Sequence, residues 1–497
     1  MNFSRREFLA TLGAASTLPL STRVIADATG PAPAPPPSAA WLSSAPGSFW
    51  QQRSKPICSP ILDRNIFAYD FEIQTDKPQQ TIEGFGAAFS ERGWDALRKL
   101  ELTQQKQILE LLFDKRAGAN FSLCRTPIGA NDFSLKWYSY DETAGDFALK
   151  KFSIKNDLQT LVPFIKSAQA IRGDLKVWAS PWSPPTWMKR NKHYSMAQPW
   201  PGGMENGIAA DQVGKEGKDY FILEPDYIKA YARYFKKYVE AYRSKGIDIV
   251  AVMPQNEFNS AQPFPSCCWT PQGLAQFIPA LADEMSTLNV EVLLGTLERG
   301  NMDLVNQVMA NPACRKAIKG VGVQWAGKGA LPFLKPNYPD LKIWGTEQEC
   351  GKGTNDWHYT KYAWGLIKQY IKNGASVYQY WNMILDKDVR STWGWPQNSL
   401  VSIDTDAKTF RLNPEYYLMR HLSAYVQPGA QHIPTASFTG YENQLVFKNP
   451  DESLVVLIQN EMSEELLVKA KIGNKLLPMA LPADSLNTLV IPKTEYL

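Results

Sequence analysis

Cysteine, histidine and long apolar runs are what this chain has least of. Six Cys (Cys58, Cys124, Cys267, Cys268, Cys314, Cys350) are scattered over 497 residues, and no two have CxxC spacing. That is too sparse for a disulfide scaffold. Only the adjacent Cys267 and Cys268 leave a choice open, between a strained bridge and two free thiols. The four His (His193, His358, His421, His432) stand apart from one another and from any cluster of Cys or carboxylates. Neither a zinc site nor a His-based triad has a foothold, and no metal or cofactor is expected. A surplus of one charge is missing too: the net charge is +4, with no basic run interleaved with aromatics, which argues against nucleic acid as a partner. No GxGxxG turn follows an apolar run, which weakens a dinucleotide-binding reading. Past the N-terminus no stretch is apolar enough for a transmembrane span, so no stable membrane anchor is expected.

The N-terminus has its own logic. Arg5 and Arg6 in "SRREFL" precede a moderately apolar stretch ending near Leu20, and "ADA" (Ala26 to Ala28) offers small residues for cleavage. Residues 1–28 read as an export signal of the twin-arginine type, with that export machinery as a partner. Residues 29–40, "GPAPAPPPSAA" and its neighbour, form a Pro/Ala linker that has no means of packing. The mature chain is expected in the periplasm or secreted.

Aromatics, by contrast, are abundant, with 16 Trp and 21 Tyr. Core filling accounts for most of them, and flat sugar-binding faces suit the remainder. From Thr81 onward, eight short apolar runs alternate with amphipathic stretches. They begin at Thr81, Ala119, Leu175, Ile247, Val290, Gly320, Leu341 and Ala375. The clearest helix lies between the third and fourth runs, where Tyr227, Tyr231, Tyr234, Tyr238 and Tyr242 recur at helical spacing behind Pro225. Eight strands alternating with helices predict a parallel (β/α)₈ TIM barrel over residues 80–426. Residues 427–497 change to period-two alternation and turns. With the similar segment 41–79 they are expected to form an antiparallel β-sandwich side domain built from both chain ends.

In such a barrel the chemistry sits at the C-terminal ends of the strands. The fourth run ends on Asn256-Glu257, and the seventh ends "IWGTEQECG", offering Glu347 and Glu349. Two carboxyls facing each other across the mouth suit retaining glycoside hydrolysis, in which one protonates the leaving oxygen and the other attacks the anomeric carbon. A lone Glu at a strand end is ordinarily a solvated or salt-bridged residue. The company is what matters: Trp182 and Trp187 after the third run, Trp381-Asn382 after the eighth, and Asp132-Phe133 after the second. Aromatic faces and Asn/Asp hydrogen-bonders around paired carboxylates are what an uncharged sugar ring requires.

At "GFGAAFSE", "RTPIGANDFS", "ASPWSPPTWMK", "QNE", "TEQECG", "YWNMIL" and "STWGWPQNSLVSID" the chain resembles glycoside hydrolase family 30, the glucosylceramidase-like retaining β-glycosidases. The resemblance implies an O-glycosyl hydrolase with Glu257 as acid/base and Glu347 as nucleophile. Glu349, two residues further into the loop, is expected to point away from the ring and to order Lys352 or a nearby amide. The resemblance also implies sugar contacts from Asp132, Trp182, Asn256 and Trp381. Arg125 would lie near the nucleophile, either keeping it ionised or tying strands together, and Trp393 adds aromatic surface at the mouth. A carbohydrate or glycolipid substrate follows, with β-glucosides favoured over endo-β-1,6-glucanase or β-xylosidase action. A glycan-binding protein without catalysis is the alternative from another class. Two departures stand out. Where glucosylceramidases end the sixth strand with His-Trp-Tyr, this chain has Gln324-Trp325-Ala326. Where the family usually has Pro after Asn-Glu, it has Phe258, an aromatic expected to help keep Glu257 protonated by burial.

Overall fold

The computed structural model describes residues 40–62, 68–348, 351–388, 390, 391 and 394–497. The export segment, nearly all of the linker, Glu349 and Trp393 lie outside the described residues. The eight apolar runs are eight strands: β1 (Gly84–Ala88), β2 (Leu123–Ile128), β3 (Lys176–Pro181), β4 (Ile249–Val252), β5 (Glu291–Leu297), β6 (Ile318–Gln324), β7 (Lys342–Gln348) and β8 (Ala375–Asn382). They pair in parallel, each with its chain neighbours, and β8 returns to β1 to close the barrel. Parallel strands need crossovers, and helices supply them on the outside, so the strands are buried on both faces and read as near-continuous apolar runs.

The barrel interior is filled, not hollow. Leu123, Trp178, Ala251, Met253, Leu293, Trp344 and Val377 form its lower layer, with Trp178 edge-on to Trp344 at 6.0 Å. Gly322 makes room for this layer: a Cβ there would lie 2.4 Å from the Met253 sulfur. Two residues up each strand, period-two alternation brings Arg125 and Ser180 inward, directly beneath the mouth.

The Tyr-rich segment is the helix Pro225–Arg243, started by Pro at its first turn. Its Tyr231, Tyr234, Tyr238 and Tyr242 are buried against the barrel, so this part of the tyrosine excess is core. Of their polar tips, that of Tyr242 meets the buried carboxylate of Asp157, which accepts from the Tyr242 hydroxyl at 2.7 Å and from those of Tyr138 and Tyr140 outside the helix at 2.7 and 2.6 Å.

The chain ends build two further sheets. A six-stranded sheet combines Ala40–Ala45 and Ser48–Arg53 with four C-terminal strands, among them Leu454–Asn460 and Ser485–Ile491. A five-stranded sheet packs on it and includes Phe71–Ile73, Leu466–Ile472 and Lys475–Leu481. The six-stranded sheet is apolar on both faces. Trp41, Val456 and Leu489 face the second sheet, whereas Leu42, Leu457 and Val490 join the apolar layer of the barrel helices. This explains "LVVLI", a run without polar alternation in an antiparallel sheet. Among the described residues no helix is long and apolar enough to cross a membrane.

Candidate active site

Glu347 owes its place to an irregularity. Trp344 points into the barrel, so strict alternation would turn Thr346 inward and Glu347 outward. A bulge in β7 reverses the phase: Val323 and Gln324 of β6 pair with Gly345 and Glu347, and Tyr378 and Tyr380 of β8 with Gly345 and Gln348. Both neighbours thus see one extra residue on β7, the device by which bulges re-aim a side chain. Glu347 is 6% exposed and sits over the barrel interior. Its Oε2 accepts from Arg125 Nη1 at 2.6 Å and from Gln324 Nε2 at 3.0 Å.

Arg125 is fully buried and serves several groups at once. Its Nη2 donates to Ser180 Oγ at 2.9 Å and to Asn256 Oδ1 at 2.7 Å. The guanidinium carbon also lies 4.3 Å from the centre of Trp182, 4.9 Å from Trp178 and 5.4 Å from Trp381. Desolvation lowers its pKa from the ordinary guanidinium range, and the Glu347 carboxylate beside it acts in the opposite sense. Arg125 thus faces the Glu347 carboxylate and links β2 to Ser180 of β3, to Asn256 beyond β4 and to β7.

Beyond β4 the backbone of Asn256 and Glu257 is pinned. The Asn256 N–H donates to Pro181 O at 2.7 Å, and the Glu257 N–H donates to Thr296 Oγ1 at 2.9 Å. Glu257 has φ +47°, in the left-handed region that is uncommon for residues other than glycine and is found at constrained sites. It is 3% exposed, and Gln262 Nε2 donates to its Oε2 at 3.0 Å. Three donors (Arg125, Gln324 and the Thr296 hydroxyl) converge on Asn256 Oδ1 within 3.0 Å. That convergence settles which end of the amide faces the network and leaves Nδ2 as the donor available to a ligand.

Aromatic and polar walls complete the mouth. Trp182 and Trp381 stack at 5.5 Å, Phe133 meets Trp381 edge-on at 6.1 Å, and Ala88, Phe264 and Leu385 join the same cluster. Asp132 sits in a turn fixed by Asn131, whose Oδ1 accepts the Phe133 N–H at 2.9 Å. Asp132 lies within electrostatic reach of Arg125 and Arg92. Asn382 donates to Gln397 Oε1 at 2.8 Å and holds the loop that follows β8.

The structure thus brings Arg125, Asp132, Trp182, Asn256, Glu257, Glu347 and Trp381 to one end of the barrel, whereas Trp393 and Glu349 fall outside the described residues. Phe258, next to Glu257 in the chain, is 1% exposed and belongs to the main apolar core of the barrel rather than to the cluster of the mouth aromatics. Cys267 and Cys268 are free buried thiols, and burial pushes Cys267 up to about 12. Among the described residues no three His, Cys, Asp or Glu side chains are placed to hold a metal ion.

Sequence reasoning missed Gln324, Thr296 and Gln262. Gln324 registered only as a departure from His, yet its Nε2 lies within 3.0 Å of Asn256 Oδ1, Thr296 Oγ1 and Glu347 Oε2. Its position was readable, because Gly320, Gly322 and Gln324 share the inward face of β6. Lys189 was also missed. Its Nζ donates to Ser183 Oγ, Tyr194 O and Ser266 O at 2.7–3.1 Å, joining the loops after β3 and β4, and burial pushes it down to about 8.

The description "Glycosyl hydrolase family 30 TIM-barrel domain" matches residues 82–426. The lysosomal acid glucosylceramidase of Mus musculus is 26% identical over 421 residues, covering 79% of this chain and 78% of its own. The endo-1,6-beta-D-glucanase of Neurospora crassa is 27% identical over 430 residues, covering 80% and 82%. Among solved structures, SrfJ from Salmonella typhimurium superposes with a TM-score of 0.80 at 23% identity, over 92% of this chain and 99% of its own.

Proposed function

Because the chain belongs to glycosyl hydrolase family 30 and is a retaining β-glycosidase, we propose that Glu347 attacks the anomeric carbon while Glu257 protonates the departing oxygen. The observation that carries this division is the setting of Glu347: a guanidinium at 2.6 Å and an amide at 3.0 Å both stabilise its charged, nucleophilic form. The loss of the glycosidic bond leaves a covalent glycosyl–enzyme. Water then attacks the same carbon, Glu257 takes the water's proton, and Glu347 departs as a carboxylate.

The sugar is held by the residues around the pair. Asn256 Nδ2 donates to the 2-hydroxyl, a bond that strengthens as positive charge builds on the ring. Trp182 and Trp381 wall the ring, and Asp132 accepts from its remaining hydroxyls. For substrate we propose β-glucosides of the glucosylceramidase or β-glucosidase type, the kind of compound named by the Mus musculus relative. Endo-β-1,6-glucan cleavage is the second reading, favoured by the Neurospora crassa relative; β-xylosidase action is a further family alternative. Gln324 in place of His on β6 and Ala326 in place of Tyr make the site's upper rim unlike that of the glucosylceramidase pattern.

A mechanism-based 2-fluoro glucoside, followed by peptide mapping, should place the label on Glu347. Label on any other carboxylate overturns the assignment. Glu347→Gln should abolish hydrolysis by orders of magnitude, whereas a pure glycan binder would keep its affinity and show no hydrolysis to lose. A panel of aryl β-glycosides, β-1,6-glucan and glucosylceramide separates the two substrate readings. We also propose twin-arginine export to the periplasm. Replacing Arg5 and Arg6 with Lys should retain the chain in the cytoplasm on cell fractionation, and normal export of that variant would reject the assignment.

A further inference from the structure

A cleft of about 1050 Å³ opens beside the proposed acid, with a lining of its own distinct from that of the sugar site. It reaches the acid through Gln262, which lines the cleft and donates to Glu257 Oε2. A leaving oxygen protonated by Glu257 must carry its aglycone into space on that side. The walls come from the loops after β3, β4, β5, β7 and β8, with Trp200 and Trp395 supplying apolar faces. Two of these loops touch through glycines: Gly394 has φ +85°, and a Cβ on it would lie 2.9 Å from Gly203 Cα.

The charge of the lining is one-sided. Among the described residues that line it, three cations (Arg299, Lys352 and Arg390) stand against the single carboxylate of Glu216. Arg299 is already engaged, at 2.6 Å with Glu216 and 2.5 Å with Glu298. The other two differ from it: among the described residues no carboxylate lies within ion-pair distance of Lys352 or Arg390. Arg390 is fixed by a backbone bridge to Pro396 and by donating Nη1 to Gly394 O at 2.9 Å, which leaves most of its fork for a ligand. A cleft with low-dielectric walls focuses such charge, and a planar guanidinium matches an oxyanion.

Resting on the glycosidase reading above, we propose that this cleft receives an aglycone bearing an oxyanion, a carboxylate or a phosphate ester, recognised by Arg390 and Lys352. The sugar determines where cleavage occurs, and these two cations determine which leaving groups are preferred. No chemistry beyond hydrolysis is involved.

The test compares kcat/KM for a neutral glucoside, 4-methylumbelliferyl β-glucoside, with two anionic ones. These are the 3-carboxyumbelliferyl glucoside and a glucoside of 4-hydroxyphenyl phosphate, which separate carboxylate from phosphate recognition. The anionic-to-neutral ratio should fall about tenfold in Arg390→Gln and in Lys352→Gln, and in the unaltered enzyme at ~1 M salt. Comparing this ratio between the unaltered enzyme and its variants cancels the different leaving-group abilities of the phenols. A ratio unmoved by either substitution and by salt overturns the proposal. If the enzyme cleaves no glucoside, the substrate reading fails and the cleft is judged by binding alone. In that event 7-hydroxycoumarin-3-carboxylate should bind the full chain more tightly than 4-methylumbelliferone, and the double variant should lose that preference. Equal binding of the two coumarins would dispose of the cleft's role as well.

Discussion

At the scale of single residues, the site is organised around one buried charge pair. An Arg–carboxylate pair in a dry interior costs desolvation that only good geometry and further bonds can offset. Here Ser180, Asn256, Gln324 and three indole rings provide them. Removing one partner strands the other, so Arg125→Ala should cost about 3–5 kcal/mol of stability as well as activity. Gln324→Ala is the cleaner probe, because it deletes amide donors without leaving a charge unpaired. A hydrogen bond to a charged group contributes about 1.5–3 kcal/mol, so kcat/KM should drop roughly 10- to 100-fold while the unfolding midpoint moves little. Unchanged kinetics would mean that Gln324 only fills space. Phe258 belongs to another category: its side chain is 1% exposed and lies in the main apolar core of the barrel. Phe258→Ala should thus appear chiefly as lost stability of about 3–5 kcal/mol, read by denaturant titration.

Among elements, the loop after β8 depends on a buried carboxyl. Glu415 stands in the first turn of the helix Pro414–Ser423, and its Oε1 accepts from Asn398 Nδ2 at 2.7 Å. Asn398 in turn takes the Asn355 N–H at 3.2 Å, which ties the loops after β7 and β8 to each other. Burial pushes Glu415 up to about 8, well above its ordinary range. The sign follows from that direction. A carboxyl whose folded pKa exceeds its unfolded value contributes stability below about pH 4.5, and this contribution is lost as pH rises through about 8. Glu415→Gln mimics the protonated form and should remove that loss. Its stability advantage over the unaltered protein should grow between pH 5 and pH 8, on the order of a few kcal/mol at the upper end, in urea titrations at the two pH values. A constant difference across that range would show that Glu415 is ionised throughout.

For the molecule as a whole, the barrel and the sheets from the chain ends share a layer of side chains. Leu42, Leu445, Phe447, Leu457 and Val490 of the six-stranded sheet lie in the same apolar cluster as Trp364, Tyr416 and Leu422 of the barrel helices. His421 on one of those helices bonds Ser44 Oγ at 2.8 Å and Thr488 Oγ1 at 2.9 Å, and burial pushes it down to about 3, so it joins the two units as a neutral ring. An interface of this apolar kind behaves like a core cut in half. Calorimetry should therefore show one cooperative unfolding transition, and a chain ending at Val426 should be insoluble, because its helices would expose that layer to water. Two well-separated transitions, or a soluble and active truncated barrel, would show instead that the sheets are an independent appendage.

The sequence by itself determined the eight strands, their order and the end of the barrel at which polar residues collect. Those features follow from local pattern: apolar runs of strand length, helical periodicity between them, and Glu, Asn and Trp where each run stops. Arg125 and Gln324 were also legible as inward-facing, since simple alternation carries them there. What only the tertiary structure decided is which way Glu347 points, because alternation from Trp344 would send it outward. The bulge that turns it inward is a register shift against two neighbouring strands, and register is a property of pairs that no single strand encodes. The same holds for Thr296 and Gln262, which lie 39 and 5 residues from Glu257 and are brought to it by closure of the ring and by the turn after β4. The cationic cleft, too, exists only because five loops far apart in the chain meet above one end of the barrel.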